Sequence, residues 1–364
     1  MNEPTGRRRD VTVADVARDA KVAKATAARS LGGYGAVSDD VRQRVQAAAE
    51  ALGYHANGLA RSMNTGRSNT IGVIVGDIEN PYFGVAVRGI TDTAKAAGYD
   101  VILANTGEQL EVEIDAARVF VEKRVDGFIV APTSFTITDH LSDIVNSGRP
   151  LVLLDRHVDN LDLDLDVVEV DNEKVARAAA QHLIDSGHER VAFITTLEFE
   201  LSAYRTGAEL GVSSVSARIN GILAAMTAAG VENPERYLRF DANSGAGVKG
   251  VTRELMQLDE APTAIIASDS LIAMGVLSEL RQLGLTVPDD VSFIMFDDFE
   301  WATLIDPPLT VIAQPVYEVG VAAAKRLIAR IEGRVTGPLL QLFPATLVHR
   351  ESVARPRSDG RPDA

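Results

Sequence analysis

The sequence predicts a small all-α helix-turn-helix unit followed by a two-lobed α/β core with parallel, doubly wound sheets. Helical segments fill residues 11–53, and ten short apolar strands alternate with helices from Thr70 onward. Strands that alternate with helices are typical of parallel sheets. Ten strands are too many for one comfortable sheet in a chain of this length, so two lobes with a crevice between them are expected.

The amino-terminal segment has the pattern of two short helices joined by a tight turn. Residues 13–20 and 23–31 each have helical spacing, and Lys21-Val22 breaks them. This pattern predicts a helix-turn-helix, whose second helix is placed to enter a DNA major groove. Ser38 is expected to cap a third helix that stops at Gly53. The alternative is an ordinary small helical domain.

The charge distribution agrees with a DNA-binding amino-terminal unit. The 364-residue chain has a net charge of −15, but residues 1–67 contain 11 Lys and Arg against 7 Asp and Glu. This segment is therefore net positive, and the rest of the chain would repel DNA. The absence of cysteine excludes a disulfide framework and a thiol nucleophile. No apolar run is long enough for a membrane span or a signal peptide, so a cytoplasmic, nucleoid-associated location is expected.

Polar residues that follow the predicted strands are candidates for a ligand site. In parallel sheets, ligands bind beyond the carboxyl ends of the strands. The candidates chosen by this rule are Asp77, residues 80–83, Asp155-Arg156, Ser268-Asp269 and Asp297-Asp298. Such carboxylates and amides suit a ligand rich in hydroxyl groups. The alternative is that each Asp caps the helix that follows it.

The amino-terminal residues resemble the DNA-binding headpiece of the LacI/GalR family of bacterial transcription repressors. The resemblance is carried by VTVADVARDAKVAKATAARSL (11–31) and VSDDVRQRVQAAAEALGY (37–54). It implies that Lys24, Ala25 and Arg29 read bases and that Thr26 lies on the same helix. The family usually has Gly at the position of Lys21 and Ser or Thr at that of Ala23. Each departure costs roughly 1 kcal/mol, so a less stable headpiece is expected.

The segment NGLARSM (57–63) resembles the family's hinge. The resemblance implies paired hinge helices in a dimer, which open the DNA minor groove with an inserted apolar side chain. By position, the resemblance implies that five residues of this segment contact DNA: Asn57, Leu59, Ala60, Arg61 and Met63. Met63 takes the position of the inserted side chain, which is usually leucine.

The remainder resembles the family's effector-binding core, which is itself similar to periplasmic sugar-binding proteins. Matching runs include TIGVIVGDIENPYF (70–83), RPLVLLDR (149–156) and LTVPDDVSFIMFDD (285–298). The resemblance implies that Asp155, Arg218 and Asp297 grip the effector. The other expected site residues are Asn80, Tyr82, Phe83, Ser214, Ser268, Asp269 and Gln314. Three positions depart from the family: Ser268 stands where many relatives have Asn, Ile222 where an aromatic residue often follows the Gly, and Ala242-Asn243 where several have a stacking aromatic residue. The effector is therefore expected to be smaller or differently stacked than a hexose.

These patterns and the resemblance together predict the domain limits. The headpiece spans residues 1–55, the hinge and linker 56–69, the core 70–350 and a tail 351–364. Within the core, the N-lobe is expected at about 70–167 and 316–343, and the C-lobe at about 168–315 and 344–350. Residues 167–172 are interpreted as the start of the second lobe, after an exposed acidic loop at 159–166.

Two other functions compete with this prediction. Gly245, Gly247 and Gly250 form a G-x-G-x-x-G motif, and Asp269 follows 19 residues after the last Gly, as in an NAD(P)-dependent enzyme. However, four residues separate the motif from the preceding strand, and helix packing with capping by Asn243 or Ser244 explains it as well. The second rival is a sugar-binding protein without a DNA-binding role, which the headpiece opposes.

The sequence therefore predicts a homodimeric, sequence-specific transcriptional repressor. Its partners are double-stranded, pseudo-palindromic operator DNA, a small effector of the sugar class and a second copy of itself. No membrane partner, catalytic residue, metal ligand or cofactor is predicted.

Overall fold

The structure is a computed structural model that describes residues 11–32, 35–54, 67–159, 165–197, 199, 204, 210–242 and 244–357. These residues form two compact units, which divide between Asn69 and Thr70. Within the described ranges, no helix combines the length and the apolar character needed to cross a membrane.

The first unit contains the three predicted helices, α1 (Val13–Asp19), α2 (Lys24–Gly32) and α3 (Asp39–Leu52). Apolar side chains at helical spacing form their common core, in which Val16, Ala27 and Val45 are fully buried. The predicted helix-turn-helix is therefore present, with a third helix packed against it.

The turn and the helix ends of this unit agree with most of the predictions made from the sequence. Lys21 has a φ of 54°, in the left-handed region that favours Gly. Gly53 ends α3 with a φ of 62°, as predicted. Ser38 is the N-cap residue of α3, as predicted, but its hydroxyl makes no capping hydrogen bond.

The first lobe of the second unit is built on a six-stranded parallel sheet. Its strands are β1 (Thr70–Val75), β2 (Asp100–Asn105), β3 (Gly127–Val130), β4 (Leu151–Leu154), β5 (Asp166–Val170) and β11 (Leu340–Phe343). Its helices are α4 (Pro81–Ala96), α5 (Leu110–Glu122), α6 (Asp139–Asn146) and α11 (Val316–Ile331). The strand order is β11-β5-β4-β3-β1-β2. Ile71 packs with α4 and α11 and Ile74 with α5 and α6, so helices cover both faces.

The second lobe repeats this architecture. Its strands are β6 (Val191–Ile194), β7 (Leu238–Arg239), β8 (Ala264–Ala267), β9 (Ser292–Phe296), β10 (Thr310–Ala313) and β12 (Thr346–Val348). Its helices are α7 (Asn172–Asp185), α8 (Ser213–Ala228), α9 (Gly245–Met256) and α10 (Ser270–Gln282). The strand order is β12-β10-β9-β8-β6-β7. The pairing of β12 with β10 is antiparallel, which the prediction of parallel sheets did not include.

The structure corrects the predicted start of the second lobe. Strand β5 pairs with β4 and β11 in the first sheet, so the chain crosses over after Val170. Asp166, which the sequence analysis placed in an exposed loop, is 1% exposed and forms ion pairs with Arg326 and Arg330 at 2.8 and 2.7 Å. Asp166 is therefore a buried residue of β5, and its predicted place in an exposed loop is wrong.

All ten predicted strands are present, and two further strands, β11 and β12, were not predicted. Leu340 and Leu342 of β11 remain 60% and 50% exposed. Short edge strands of this kind lack the continuous apolar run that identifies a buried strand.

Glycine residues allow helices to pack closely in each lobe. A Cβ on Gly320 of α11 would collide with the carbonyl oxygen of Ala86 in α4. In the second lobe, a Cβ on Gly221 of α8 would collide with the carbonyl oxygen of Glu173 in α7. Because the obstacle is backbone in both cases, a side chain would force the helices apart.

Gly320→Ala is therefore expected to lower the free energy of unfolding by about 1–3 kcal/mol through overpacking. Gly84→Ala is the matched control, since a Cβ on Gly84 of α4 meets nothing within 4 Å. The control is expected to keep or slightly raise the Tm, because Ala is the better helix former. Thermal unfolding followed by circular dichroism measures both, and an unchanged Tm in Gly320→Ala would contradict the close-packing argument.

Candidate ligand-binding site

A cleft between the two lobes collects residues that follow the carboxyl ends of strands in both sheets. All ten effector-site residues expected from the sequence line it: Asn80, Tyr82, Phe83, Asp155, Ser214, Arg218, Ser268, Asp269, Asp297 and Gln314. Five further lining residues were not in that set: Glu108, Arg156, Thr195, Thr196 and Val215.

Asp155 and Asp297 occupy equivalent positions in the two lobes. Each directly follows a strand, β4 or β9, and each has a left-handed backbone, with φ of 66° and 75°. Their exposed fractions are 5% and 3%. Neither residue is the N-cap of a helix in the described chain. The capping alternative therefore does not account for these two carboxylates.

The Asp297 carboxylate is held in a buried setting that disfavours its charge. Burial, opposed by Arg218, raises its pKa to about 7, and the nearby carboxylates of Asp269 and Asp155 add to the shift. Its Oδ1 accepts a hydrogen bond of 2.6 Å from Nε2 of Gln314. A carboxyl group with this pKa is present in both protonation states near neutral pH.

The raised pKa of Asp297 predicts a pH-dependent stability. The folded state holds this proton more tightly than the unfolded state, so the stabilisation is complete below about pH 4 and is lost as the pH rises through 7. The free energy of unfolding of the wild type is expected to fall over this range, relative to Asp297→Asn, by up to about 4 kcal/mol. Denaturant titrations of both proteins between pH 4 and 8 measure the difference. Parallel pH profiles would show that Asp297 ionises normally.

Arg218 projects from α8 and is held by the predicted site residue Ser268 and by two residues outside the predicted set, Asn172 and Phe296. Its Nε donates to Oδ1 of Asn172 at 2.7 Å, and an Nη donates to the carbonyl oxygen of Ser268 at 2.8 Å. Its guanidinium carbon lies 3.9 Å from the centre of the Phe296 ring. Asn172 follows β5 and Phe296 ends β9, so the strand-end rule could have suggested both.

Asp269 and Asn80 line the cleft and also cap helices; for Asp269 this is what the capping alternative predicted. Asp269 Oδ1 accepts hydrogen bonds from the backbone N–H groups of Leu271 and Ile272 at the start of α10. Asn80 Oδ1 accepts from the N–H of Tyr82 at the start of α4. Both side chains therefore help to fix the loops that form the site.

Glu108 and Arg156 form a bidentate ion pair in the first lobe, with distances of 2.7 and 2.8 Å. Glu108 has a left-handed φ of 59°. A Cβ on Gly76 would collide with its carboxylate, so Gly76 leaves the space that the pair needs. No local sequence pattern predicts this ion pair, because Glu108 and Arg156 are 48 residues apart.

Tyr82 and Phe83 give the first lobe an aromatic wall. Their rings meet edge to face with centroids 5.4 Å apart, and both side chains are buried. Burial, followed by the charge of Asp155, raises the pKa of the Tyr82 hydroxyl well above its ordinary value. Tyr82 therefore stays neutral and can donate or accept a hydrogen bond.

The lobes touch beside the cleft, whose volume is about 70 Å³. The N–H of Phe135 donates to the carbonyl oxygen of Gly211 at 2.8 Å, and the N–H of His157 donates to Oγ of Ser213 at 2.9 Å. Small-molecule sites usually measure roughly 300 Å³ or more. A sugar-sized ligand therefore requires the lobes to separate or the lining side chains to move.

The glycine-rich motif forms the first turn of α9. Ser244 Oγ accepts a hydrogen bond of 3.0 Å from the N–H of Gly247, so the N-terminus is capped from within the chain. Asp269, the acidic residue that the dinucleotide-binding alternative requires, is the N-cap of α10. The dinucleotide-binding alternative is therefore not favoured. Among the described residues, no group of three or more His, Cys, Asp or Glu could hold a metal ion.

The proposed base-reading residues lie on the outer face of α2. Lys24, Ala25 and Arg29 are exposed and Thr26 is half-buried, whereas Ala27 faces the core. The hinge residues Asn57, Leu59, Ala60, Arg61 and Met63 lie outside the described residues.

Comparisons with known proteins agree with both units. A family model described as "Bacterial regulatory proteins, lacI family" matches residues 12–57. A second, "Periplasmic binding proteins and sugar binding domain of LacI family", matches residues 68–351. The transcriptional repressor CytR of Escherichia coli (strain K12) is 32% identical over 343 residues, which are 94% of this chain and 96% of CytR.

Two solved structures show the same fold. A LacI family transcriptional regulator from Enterococcus faecium with bound ribose is 30% identical and has a TM-score of 0.65, with 79% of this chain and 100% of that chain covered. The lac repressor dimer bound to operator and an anti-inducer has a TM-score of 0.79 at 24% identity, with 95% of this chain and 100% of that chain covered.

A helix-turn-helix unit in one chain with a two-lobed ligand-binding core defines a DNA-binding regulator that responds to a small molecule. The two family models together cover most of the chain, and CytR matches nearly all of it. The chain belongs to the LacI family of bacterial transcriptional regulators.

Proposed function

We propose that this chain is a homodimeric repressor that binds a pseudo-palindromic operator, and that a small carbohydrate in the cleft controls its operator affinity. The observation that carries the proposal is the convergence of Asp155 from one lobe with Arg218 and Asp297 from the other. A ligand that binds Asp155 of one lobe together with Arg218 and Asp297 of the other would stabilise one arrangement of the lobes. The repressor CytR and the ribose-bound regulator support this assignment by their similarity.

The reading surface proposed for the DNA is the exposed face of α2. Arg29 suits a bidentate contact to guanine, Lys24 suits guanine or phosphate, and Ala25 suits the methyl group of thymine. One three-helix unit contacts few base pairs, so two copies on a two-fold symmetric site are needed for useful specificity. Thr26 and the hinge residues 57–63 complete the proposed interface.

The proposed control mechanism is an allosteric coupling between cleft and DNA. Effector binding shifts the lobes, and this shift changes the affinity of the dimer for its operator. A coupling free energy of about 1–3 kcal/mol changes operator affinity by roughly 5- to 150-fold, and the operator changes effector affinity by the same factor.

We further propose that the chain acts in the cytoplasm, where its DNA target lies, and that it is not an enzyme. The support is its kinship with transcriptional repressors together with the structural roles of the glycine-rich motif and Asp269.

Selection of random double-stranded DNA by the full-length protein tests the proposal. We expect enrichment of a palindrome with half-sites about one helical turn apart. A reporter gene placed behind this sequence should then be expressed less when the protein is present. A selected pool without a shared sequence would refute sequence-specific DNA binding, and increased reporter expression would refute repression.

A further inference from the structure

The charged side chains of the cleft differ in how many hydrogen bonds they already make within the protein. Four carboxylates and two guanidinium groups line it: Glu108, Asp155, Asp269, Asp297, Arg156 and Arg218. With all six ionised, negative charges outnumber positive charges by two. Hydrogen bonds within the protein use part of the arginine N–H groups, so a ligand meets an even larger excess of negative charge.

Both guanidinium groups already donate to protein oxygens. Arg156 makes the bidentate pair with Glu108 and also donates to the carbonyl oxygen of Pro132 at 3.2 Å. Arg218 is shared between Asn172 and the carbonyl oxygen of Ser268. A phosphate or carboxylate binds best to an arginine that can offer two parallel N–H groups. Glu108 occupies the Nη1–Nη2 edge of Arg156, so an anion would have to displace Glu108 to bind that edge, whereas Arg218 keeps N–H donors beyond its two hydrogen bonds to the protein.

The unpaired oxygen atoms of the cleft instead favour ligands that donate hydrogen bonds. Among the described residues, two buried acceptors of the cleft have no hydrogen-bond partner, Asp155 Oδ1 and Gln314 Oε1, and two buried donors also have none, the Tyr82 hydroxyl and Arg156 Nε. Gln314 turns its Nε2 toward Asp297, which leaves its Oε1 as an acceptor. Buried acceptors without a donor are costly, so hydroxyl groups of a ligand would relieve this cost.

A negatively charged ligand group would be unfavourable next to Asp297. The pKa of Asp297 is raised by burial and by the neighbouring carboxylates of Asp269 and Asp155, although Arg218 opposes the shift. A phosphate group would add negative charge to the same buried space.

We propose that the cleft selects an uncharged, hydroxyl-rich effector and excludes its phosphorylated and carboxylated counterparts, with Glu108 as the residue that enforces this exclusion. The inference rests on the proposed function and specifies its ligand. Glu108 acts by occupying Arg156, which would otherwise be available to an anion.

Matched ligand pairs test the proposal with the full-length protein. The panel pairs ribose with ribose 5-phosphate, glucose with glucose 6-phosphate and gluconate, and cytidine with its 5′-monophosphate. Thermal shift identifies binders, and calorimetry measures their dissociation constants. We expect at least one neutral member to bind and its anionic counterpart to bind at least 100-fold more weakly. Tighter binding by an anionic member, or no binding by any neutral member, would overturn the proposal.

Glu108→Gln separates the electrostatic exclusion from a simple lack of space. Loss of this carboxylate releases Arg156, so the affinity for the anionic member relative to the neutral one should rise at least tenfold. Glu111→Gln is the matched control, because Glu111 is exposed at the start of α5. It should leave the ratio unchanged. An unchanged ratio in a folded Glu108→Gln protein would overturn the role of Glu108.

These outcomes are independent of the DNA experiment. A tightly bound phosphorylated sugar would overturn the charge selectivity and leave the proposed regulator intact. Failure to select an operator would refute the proposed function without altering the measured ligand ratio.

Discussion

Asp297→Ala is expected to abolish the effector response and to leave operator binding without effector intact. The side chain is 3% exposed, lies at the end of β9 and shares the cleft with Arg218. Hydrogen bonds to a charged group contribute about 1.5–3 kcal/mol each, so losing two of them should weaken effector binding by roughly 100-fold or more. Calorimetry with a neutral ligand from the panel and operator titrations at several ligand concentrations measure both effects.

The neighbouring residue provides a matched control for Asp297. Asp298 accepts from one Nη of Arg350, which lies 2.7 Å from each carboxylate oxygen, and it lines a neighbouring pocket shared with Asp297 and Gln314 but not the cleft itself. Asp298→Ala therefore removes a carboxylate from the same loop without removing a ligand contact, and effector affinity should change by less than about threefold. An unchanged dose response in Asp297→Ala would remove this residue from the site. Equal losses in both variants would point to disruption of the loop.

Arg29→Ala is expected to weaken operator binding by about 1–3 kcal/mol, which is roughly 5- to 150-fold in Kd, and to relax the base preference at one position in each half-site. Arg29 is exposed on α2, while the neighbouring Ala27 holds the helix in the core. Its removal should therefore leave the headpiece folded. Fluorescence anisotropy at one fixed salt concentration, with selected operator and with random DNA, measures the loss of specificity.

Arg44→Ala is the control for charge alone. Arg44 is exposed on α3 and pairs with Asp40 at 3.3 Å, so its removal takes one positive charge from the same unit. We expect the ratio of operator to random-DNA affinity to be unchanged in this variant. If Arg29→Ala weakens both DNAs equally, Arg29 contacts phosphate and does not read bases.

Local patterns in the sequence determined most of the secondary structure and the frame of the site. The periodicity of apolar residues identified α1 to α3 and ten strands, because a buried face imposes a fixed spacing on the chain. The strand-end rule identified Asp155 and Asp297, since residues after parallel strands converge on one edge of a sheet. The same rule selected Asp269 without distinguishing a ligand-binding carboxylate from a helix cap.

The tertiary structure alone decided which distant segments meet. Asp166 is buried with its charge paired because α11, some 160 residues later, brings Arg326 and Arg330 to it, while backbone pairing with β4 and β11 places β5 in the first lobe. Glu108 meets Arg156 across 48 residues, and Arg218 meets Asn172 across 46. Spacing within one helix or strand carries no information about such contacts. The charge balance of the cleft therefore emerged only when both sheets and their loops were in place.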